Sequence, residues 1–167
     1  LNEKFPRISY EEAMLKYGTD KPDLRNPLLI YEVTNIFTRE DIKFEIFKKL
    51  ISSGSKVRTI VTKKTKDKPR SFFDNIDKWA KEQGASGLAY FTIEKDKKIS
   101  AKGPVGKFFS ENALIEIMRV TSAEVGDSMF FACGKPNEVE KIASLARDKI
   151  AKELNLIDEN KFAFCWI

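Results

Sequence analysis

Basic residues are concentrated in one stretch of the sequence, where their chemistry suits contacts with phosphate groups. The stretch contains Lys56, Arg58, Lys63, Lys64, Lys66, Lys68 and Arg70, interrupted only by Asp67. Such a segment can neutralise phosphates along an RNA backbone, because Lys and Arg displace the counterions that surround each phosphate. The alternative is a well-hydrated loop whose charges serve solubility. The candidate contact residues are Lys63, Lys64, Lys66, Lys68 and Arg70.

A second and weaker basic cluster follows about thirty residues later. Its members are Lys95, Lys97, Lys98, Lys102 and Lys107, and Glu94 and Asp96 dilute it. Tyr90 and Phe91 lie between the two clusters, and aromatic residues on strands can stack on RNA bases. Neighbouring strand residues face opposite ways, so only one of the two could do this. Packing in the core is the expected use of both.

The residues needed for most catalytic chemistry are missing. The chain has no histidine, which removes the commonest general base and metal ligand, and its two cysteines cannot build a zinc site. Adjacent acids such as Glu11–Glu12, Glu40–Asp41 and Asp158–Glu159 are typical of helix starts and solvated turns. We therefore expect no catalytic residue, no metal site and no cofactor-binding residue in this chain.

One glycine-rich segment partly resembles a phosphate-binding loop. Residues 103–107 read Gly-Pro-Val-Gly-Lys, but the full pattern needs Gly at position 101 and Ser or Thr at position 108. This chain has Ala101 and Phe108 there, so the hydroxyl that would bind magnesium is absent. We interpret the segment as a structural turn.

Four helices can be predicted from caps and apolar spacing. Ser9 and Glu12 form a capping box ahead of a helix over 10–17, and Gly18 ends it. Ser71 is expected to cap a helix over 72–83. A third helix carries Ala113, Leu114, Ile117, Met118 and Val120 on one side. Pro136 begins a fourth, to about 154, with Val139, Ile142, Ala143, Ala146 and Ile150 buried.

Short apolar runs indicate strands between these helices. Residues 42–51 and 57–61 are interpreted as a strand pair, residues 87–93 as a strand paired with 99–101, and 128–133 as a further strand. Residues 28–37 are ambiguous between strand and short helix. Residues 162–167 look like one more buried strand. We therefore predict an α+β, two-layer fold with a mainly antiparallel sheet and helices on one face.

Composition limits the size and setting of this domain. With 167 residues, 42% of them hydrophobic, the chain can bury one substantial core. No apolar run is long enough to cross a bilayer. Cys133 and Cys165 stand in apolar surroundings and are interpreted as core residues in a reducing compartment. No export leader opens the chain, so we expect a cytoplasmic protein. Residues 1–25 carry balanced charge, so the surplus of +5 lies beyond Arg25.

The opening residues resemble a known family. Phe5-Pro-Arg-Ile-Ser-Tyr-Glu-Glu-Ala-Met14 and Tyr17-Gly-Thr-Asp-Lys-Pro-Asp-Leu-Arg25 are similar to a stretch of bacterial-type aspartyl-tRNA synthetases. In that family the stretch precedes a large insertion, the GAD domain, and this chain resembles the insertion from about Asn26 to Trp166. Supporting segments are 84–90, 103–108 and 126–131.

The resemblance implies a division of the chain and a role for it. Residues 1–26 would be a piece of class II catalytic domain, 27–160 a DCoH-like GAD insertion domain, and 161–167 a strand returning to the catalytic domain. Neither end is then expected to be a natural terminus. The family joins aspartate to its tRNA through an aspartyl-adenylate, using ATP and magnesium in a homodimer. Its catalytic motifs fall outside this chain, so none of its catalytic residues carries over.

The implied role of the insertion domain is therefore accessory, near the acceptor end of tRNA. The candidate residues for contacts with acceptor-stem phosphates are Lys63, Lys64, Lys66, Lys68 and Arg70. The expected partners are tRNA and the remainder of the synthetase, with no membrane. The alternative hypothesis is a free-standing α+β domain that binds or regulates another protein, in which the basic loop only solvates the surface.

Overall fold

The computed structural model describes residues 4–167 as five helices and five strands with two short 3-10 turns. The helices are α1 (Tyr10–Tyr17), α2 (Glu45–Ser52), α3 (Arg70–Glu82), α4 (Glu111–Thr121) and α5 (Pro136–Glu153). The strands are β1 (Ile30–Glu32), β2 (Lys56–Thr62), β3 (Ala89–Lys95), β4 (Ile99–Lys102) and β5 (Ser128–Gly134). The 3-10 turns cover Ile36–Thr38 and Gly106–Phe108.

The five strands form one sheet in the order β1-β2-β5-β3-β4, and every strand pair in it is antiparallel. The last strand in sequence, β5, therefore lies at the centre, between β2 and β3. Its register places Phe130 beside Ile60 on one side and Tyr90 on the other. The predicted α+β class and antiparallel sheet are confirmed.

Helices cover both faces of this sheet, whereas the sequence prediction had them on one face in two layers. Odd-numbered strand residues such as Val57, Phe91 and Phe131 join a core with α2 and α4. Even-numbered residues such as Ile60 and Phe130 join a second core with α3 and α5. The physical reason is that β2, β3 and β5 carry apolar residues on both sides of the pleat, so each face needs its own cover.

The best-signalled elements match the predictions. Helix α1 begins with the amide of Glu12 donating to the Ser9 hydroxyl, and ends at Gly18 with a left-handed φ of 68°. The Cβ of any other residue at 18 would lie 2.7 Å from the carbonyl oxygen of Glu140 in α5. Helix α5 begins at Pro136, and its five predicted core residues are all buried. The pairing of β3 with β4 is confirmed as well.

One predicted element and one predicted cap are wrong near α2 and α3. Residues 42–51 do not form a strand: α2 begins at Glu45, and Phe44, Phe47 and Ile51 meet the core at helical steps of three and four residues. The helix predicted over 72–83 is present as α3, but Ser71 does not cap it. The helix begins at Arg70, and Pro69 is its N-cap.

The second wrong element is the buried strand predicted over 162–167. Phe162, Phe164 and Trp166 are 84%, 61% and 65% exposed. A single bridge pairs Trp166 with Arg7. Cys165 is only partly buried, as is Cys133, whose thiol packs against the core and has its pKa raised to about 11 by burial. Apolar composition predicted burial for 162–167, but within residues 4–167 little of the protein covers them.

The opening segment is held against α5 by one buried cation. The Arg147 side chain, 1% exposed, donates to the carbonyl oxygens of Leu28 at 2.6 Å, Asn26 at 2.7 Å and Asp23 at 3.1 Å. Its guanidinium also lies 4.7 Å from the Tyr17 ring centroid. Burial lowers the pKa of Arg147, yet the surrounding carbonyls still satisfy its donors. Within residues 4–167, no helix is both long enough and apolar enough to span a membrane.

Candidate nucleic-acid interface

The predicted contact segment is the connection between β2 and α3. After Thr62 ends the strand, residues 63–69 form a loop in which the amide of Lys66 donates to the carbonyl oxygen of Gly126 at 3.0 Å. The buried hydroxyls of Thr62, Thr65 and Ser128 bond to one another beneath it. These contacts attach the loop to residues 126–128, where β5 begins.

Asp127 holds the beginning of the loop. Its carboxylate, 2% exposed, accepts bonds from the Lys63 Nζ at 2.9 Å, the Lys64 amide at 3.0 Å and the Glu124 amide at 2.9 Å. Lys63 also donates to the carbonyl oxygen of Ser122 at 2.8 Å. A buried carboxylate is stable only when such donors surround it. The charge of Lys63 is therefore largely compensated within the protein.

Beyond this point the basic side chains are exposed and meet the second cluster. Lys66, Lys68 and Arg70 share the rim of a surface depression of about 620 Å³ with Lys102 and Lys107. We call this feature the cationic depression. Its floor is formed by Phe73 of α3 and by Tyr90 and Thr92 of β3. Two sequence clusters that lie thirty residues apart thus form one positively charged surface.

The edge of the sheet brings Lys102 and Lys107 to this place. Lys102 pairs directly with Thr92 across the β3–β4 ladder, so their side chains lie on the same face. Gly103 follows with a φ of +124°, and a Cβ there would lie 2.9 Å from the carbonyl oxygen of Tyr90. Only glycine allows the chain to turn this closely over β3 and continue to Lys107. The predicted structural turn at 103–107 is confirmed.

The aromatic floor is packed against the protein. The Tyr90 ring stacks on Phe73, with centroids 4.4 Å apart and planes 11° from parallel, and only 9% of Tyr90 is exposed. Phe91 faces the opposite core and is fully buried. The expectation of core packing for both residues is confirmed, which leaves neither ring free to stack on a base.

Carboxylates offset part of the positive charge. Glu94 lies 3.6 Å from Lys102, and Asp74 lies 3.5 Å from Arg70, in pairs that are mostly exposed and therefore weak. In the part of the chain that the structure describes, Lys66, Lys68 and Lys107 have no carboxylate within 4.0 Å. A bound anion can therefore pair with these three lysines without displacing a carboxylate of the protein.

The other basic residues singled out in the sequence lie elsewhere. Lys95, Lys97 and Lys98 are at the opposite, exposed end of the β3–β4 hairpin. Arg58 lies on β2 near Glu32, at 3.8 Å, and contacts the carbonyl oxygen of Leu15. Lys64 lines a separate pocket of about 380 Å³ with Lys63. The structure therefore brings together only part of each cluster.

Asp41, a member of one acidic pair, is bound by two neighbouring side chains. Asp41 accepts bonds from Arg39 at 2.8 Å and from the Ser110 hydroxyl that caps α4 at 2.5 Å. The hydrogen bond from the Arg39 guanidinium makes the larger contribution to holding the pKa of Asp41 well below its usual range. The hydrogen bond from Ser110 lowers this pKa further. Among residues 4–167, no group of three or more His, Cys, Asp or Glu side chains is placed to hold a metal ion.

Sequence reasoning missed two features of this site. One is Asp127, which lies directly before the predicted strand 128–133 but whose partners Lys63 and Lys64 are more than sixty residues earlier in the sequence. The other is Thr92 in the predicted strand 87–93, whose place beside Lys102 depends on strand register. Alternation along β3 could have placed Tyr90 and Thr92 on one face, but not beside Lys66 and Lys68.

Comparisons with known proteins give a consistent result. A family model described as the GAD domain matches residues 47–143. A protein of Pelagibacter ubique (strain HTCC1062) named aspartate–tRNA(Asp/Asn) ligase is 79% identical over 99% of this chain. Proteins with the same name from Wolbachia sp. subsp. Drosophila simulans (strain wRi) and Acidiphilium cryptum (strain JF-5) are 54% and 49% identical, over 100% and 98% of the chain.

The chain covers only part of these relatives. It spans 28% of the length of the Pelagibacter protein and 27% of each of the other two. Among solved structures, a hypothetical protein from Pyrococcus horikoshii OT3 is 18% identical, with a TM-score of 0.36 over 75% of this chain and 80% of that one.

Proposed function

The chain belongs to the GAD domain family, and from this premise we propose that it is an accessory, tRNA-contacting segment of an aspartate–tRNA ligase. The parent protein would attach aspartate to tRNA through an aspartyl-adenylate, with ATP and magnesium bound outside this segment. The names of the relatives include the tRNAs for both aspartate and asparagine, so we propose both as substrates of the parent protein. We expect the parent to be a cytoplasmic homodimer.

The proposed division of the chain follows from the same premise. Residues 1–26 and 161–167 would belong to the catalytic domain, and residues 27–160 would form the GAD domain, which contains the matched range 47–143. Exposure of Phe162, Phe164 and Trp166 supports this division, because a large apolar surface suits burial against a neighbouring domain. The contact of Arg147 with residues 23–28 would then set the angle between the two domains.

The observation that carries the proposed role is the convergence of five cations around one depression. Lys66, Lys68 and Arg70 come from one segment and Lys102 and Lys107 from another, so the surface depends on the fold. Phosphates in an RNA backbone are spaced so that two or three can lie along such a surface at once. Of the predicted contact residues, Lys66, Lys68 and Arg70 lie here. Lys63 and Lys64, which were also predicted contacts, line the second pocket and bond to Asp127, and the proposed interface does not include them.

A matched pair of charge reversals tests this role. In the first variant Lys66, Lys68 and Lys107 become Glu, and in the second Lys95, Lys97 and Lys98 become Glu. Both variants change the net charge from +5 to −1, so only the position of the charges differs. The binding of tRNA to the chain is measured by fluorescence anisotropy at several salt concentrations.

The first variant should bind tRNA on the order of 100-fold more weakly, with a salt slope lower by about two to three, because phosphate contacts are lost. The hairpin variant should keep most of the affinity and the slope. Equal losses in both variants would show that only net charge matters, and no loss in the first would refute the proposed interface.

A further inference from the structure

Two hydroxyl groups in the floor of the cationic depression lack partners. The side chains of Tyr90 and Thr92 are 9% and 6% exposed, and both line the depression. Neither hydroxyl makes a hydrogen bond to any part of the chain that the structure describes. The nearby hydroxyls of Thr62, Thr65 and Ser128, by contrast, bond to one another. Hydroxyls of nearly buried residues that the protein leaves without a partner keep their hydrogen-bonding capacity for a ligand.

These two hydroxyls are not sealed inside the protein. The only fully enclosed side-chain polar atom without a partner among residues 4–167 is the Nε of Arg58. The hydroxyls of Tyr90 and Thr92 therefore reach the space of the depression, from the same face of β3. Burial raises the pKa of Tyr90, so its phenol remains protonated at neutral pH and can donate a hydrogen bond.

The helix beside the depression adds a further favourable feature for an anion. Helix α3 begins at Arg70 on the rim, has no side-chain cap and carries no acidic residue in its first turn. The positive end of its dipole is therefore not compensated by the protein. Asp74, one turn further on, contacts Arg70 and is the nearest opposing charge from this helix.

We propose that the cationic depression is a binding site for one phosphate group of an RNA backbone, with the Tyr90 and Thr92 hydroxyls as its uncharged donors. This inference rests on the proposed function and narrows it. The hydroxyls fix the oxygens of this phosphate from below, and Lys66, Lys68 and Lys107 on the rim supply the charge for it and for the neighbouring phosphates of the backbone. Tyr90 is stacked on Phe73, so no base is read, and recognition is independent of sequence.

Removing the hydroxyls without changing any charge tests this site. The variants are Tyr90→Phe, Thr92→Val and the double variant, with Thr92→Ser as a control that keeps the hydroxyl and Tyr10→Phe as a control on exposed α1. Each is assayed for binding of a single-stranded RNA oligonucleotide and of inorganic phosphate, the latter by NMR titration of backbone amides. Thermal unfolding confirms that each variant folds, and the single variants serve if the double one does not.

The expected result is a loss of RNA affinity of about tenfold for each hydroxyl removed, at every salt concentration, because a hydrogen bond to a charged group is lost. The salt slope should not change, since no cation is removed. Thr92→Ser and Tyr10→Phe should bind like the original chain. Inorganic phosphate should shift the amides of residues 66–70 and 103–107, and more weakly in the double variant.

The outcomes separate this inference from the proposed function. Unchanged RNA affinity in Tyr90→Phe and Thr92→Val, combined with loss in the reversal of Lys66, Lys68 and Lys107, would overturn the phosphate site and leave the tRNA role standing. Phosphate binding that needs both hydroxyls, in a chain that does not bind RNA, would overturn both the tRNA role and the RNA backbone as the source of the phosphate. Equal loss in Thr92→Ser and Thr92→Val would overturn the part assigned to the Thr92 hydroxyl.

Discussion

The basic loop after β2 has two halves that resemble each other in sequence and differ in the structure. The inner half, Lys63 and Lys64, is tied to the buried carboxylate of Asp127 through a side chain and a backbone amide. The outer half, Lys66, Lys68 and Arg70, is exposed and lines the cationic depression. Positive charge in one loop therefore serves two purposes: the inner half maintains the shape of the loop, and the outer half is available to a partner.

The largest effect that separates the halves should come from the carboxylate that holds the inner one. Changing Asp127→Asn removes the charge that accepts bonds from Lys63 and from two backbone amides. The free energy of unfolding should fall by about 2 to 3 kcal/mol, because buried donors lose a charged acceptor. Urea denaturation measures this change.

The matched control is Asp67→Asn, an exposed acid in the same loop. It should change the free energy of unfolding by less than about 0.5 kcal/mol. If Asp127→Asn were equally mild, the inner half would not be held by this carboxylate, and the distinction between the two halves would be lost.

A smaller and opposite pair of effects should follow from single neutralisations in the two halves. Lys63→Met should cost about 1 kcal/mol of folding stability, since its ammonium is half exposed yet contacts buried Asp127. Lys66→Met should leave stability nearly unchanged but lower the salt slope of tRNA binding by about one. Urea denaturation and anisotropy titrations on both variants check this.

The distinction between the two halves would be contradicted if Lys63→Met lowered the salt slope or Lys66→Met lowered the stability. A loss of salt slope in Lys63→Met of the same size as in Lys66→Met would mean that the inner half also contacts phosphates. A loss of stability in Lys66→Met would mean that the outer half is part of the loop's own structure.

The sequence predicted elements whose signals are local and missed those that depend on neighbours. Helix α1 follows from Ser9 and Gly18, and α5 from Pro136 and its apolar spacing. Helix α2 was mistaken for a strand because eight residues give too few turns to reveal the helical period, although Phe44, Phe47 and Ile51 follow it. Helices on both faces were missed because apolar runs in β2 and β5 do not show which side is covered.

For the candidate site, the sequence identified the charges but not their arrangement. Lys66, Lys68 and Arg70 were predicted contacts, while Lys102 and Lys107 were assigned to a weaker cluster. Their meeting depends on the strand order β5-β3-β4 and on the close turn at Gly103. Pairing of Lys63 with Asp127 joins residues 64 positions apart, and no local pattern reveals such a contact.

The proposed RNA interface at the cationic depression is tested most directly by mapping where RNA contacts the chain. Amide chemical shifts of the labelled chain are recorded by NMR during titration with tRNA. We expect the largest changes in residues 66–70, 90–92 and 103–107, and small changes at the hairpin tip, 95–98. Changes concentrated at 95–98 or at 162–167, with none around the cationic depression, would contradict it.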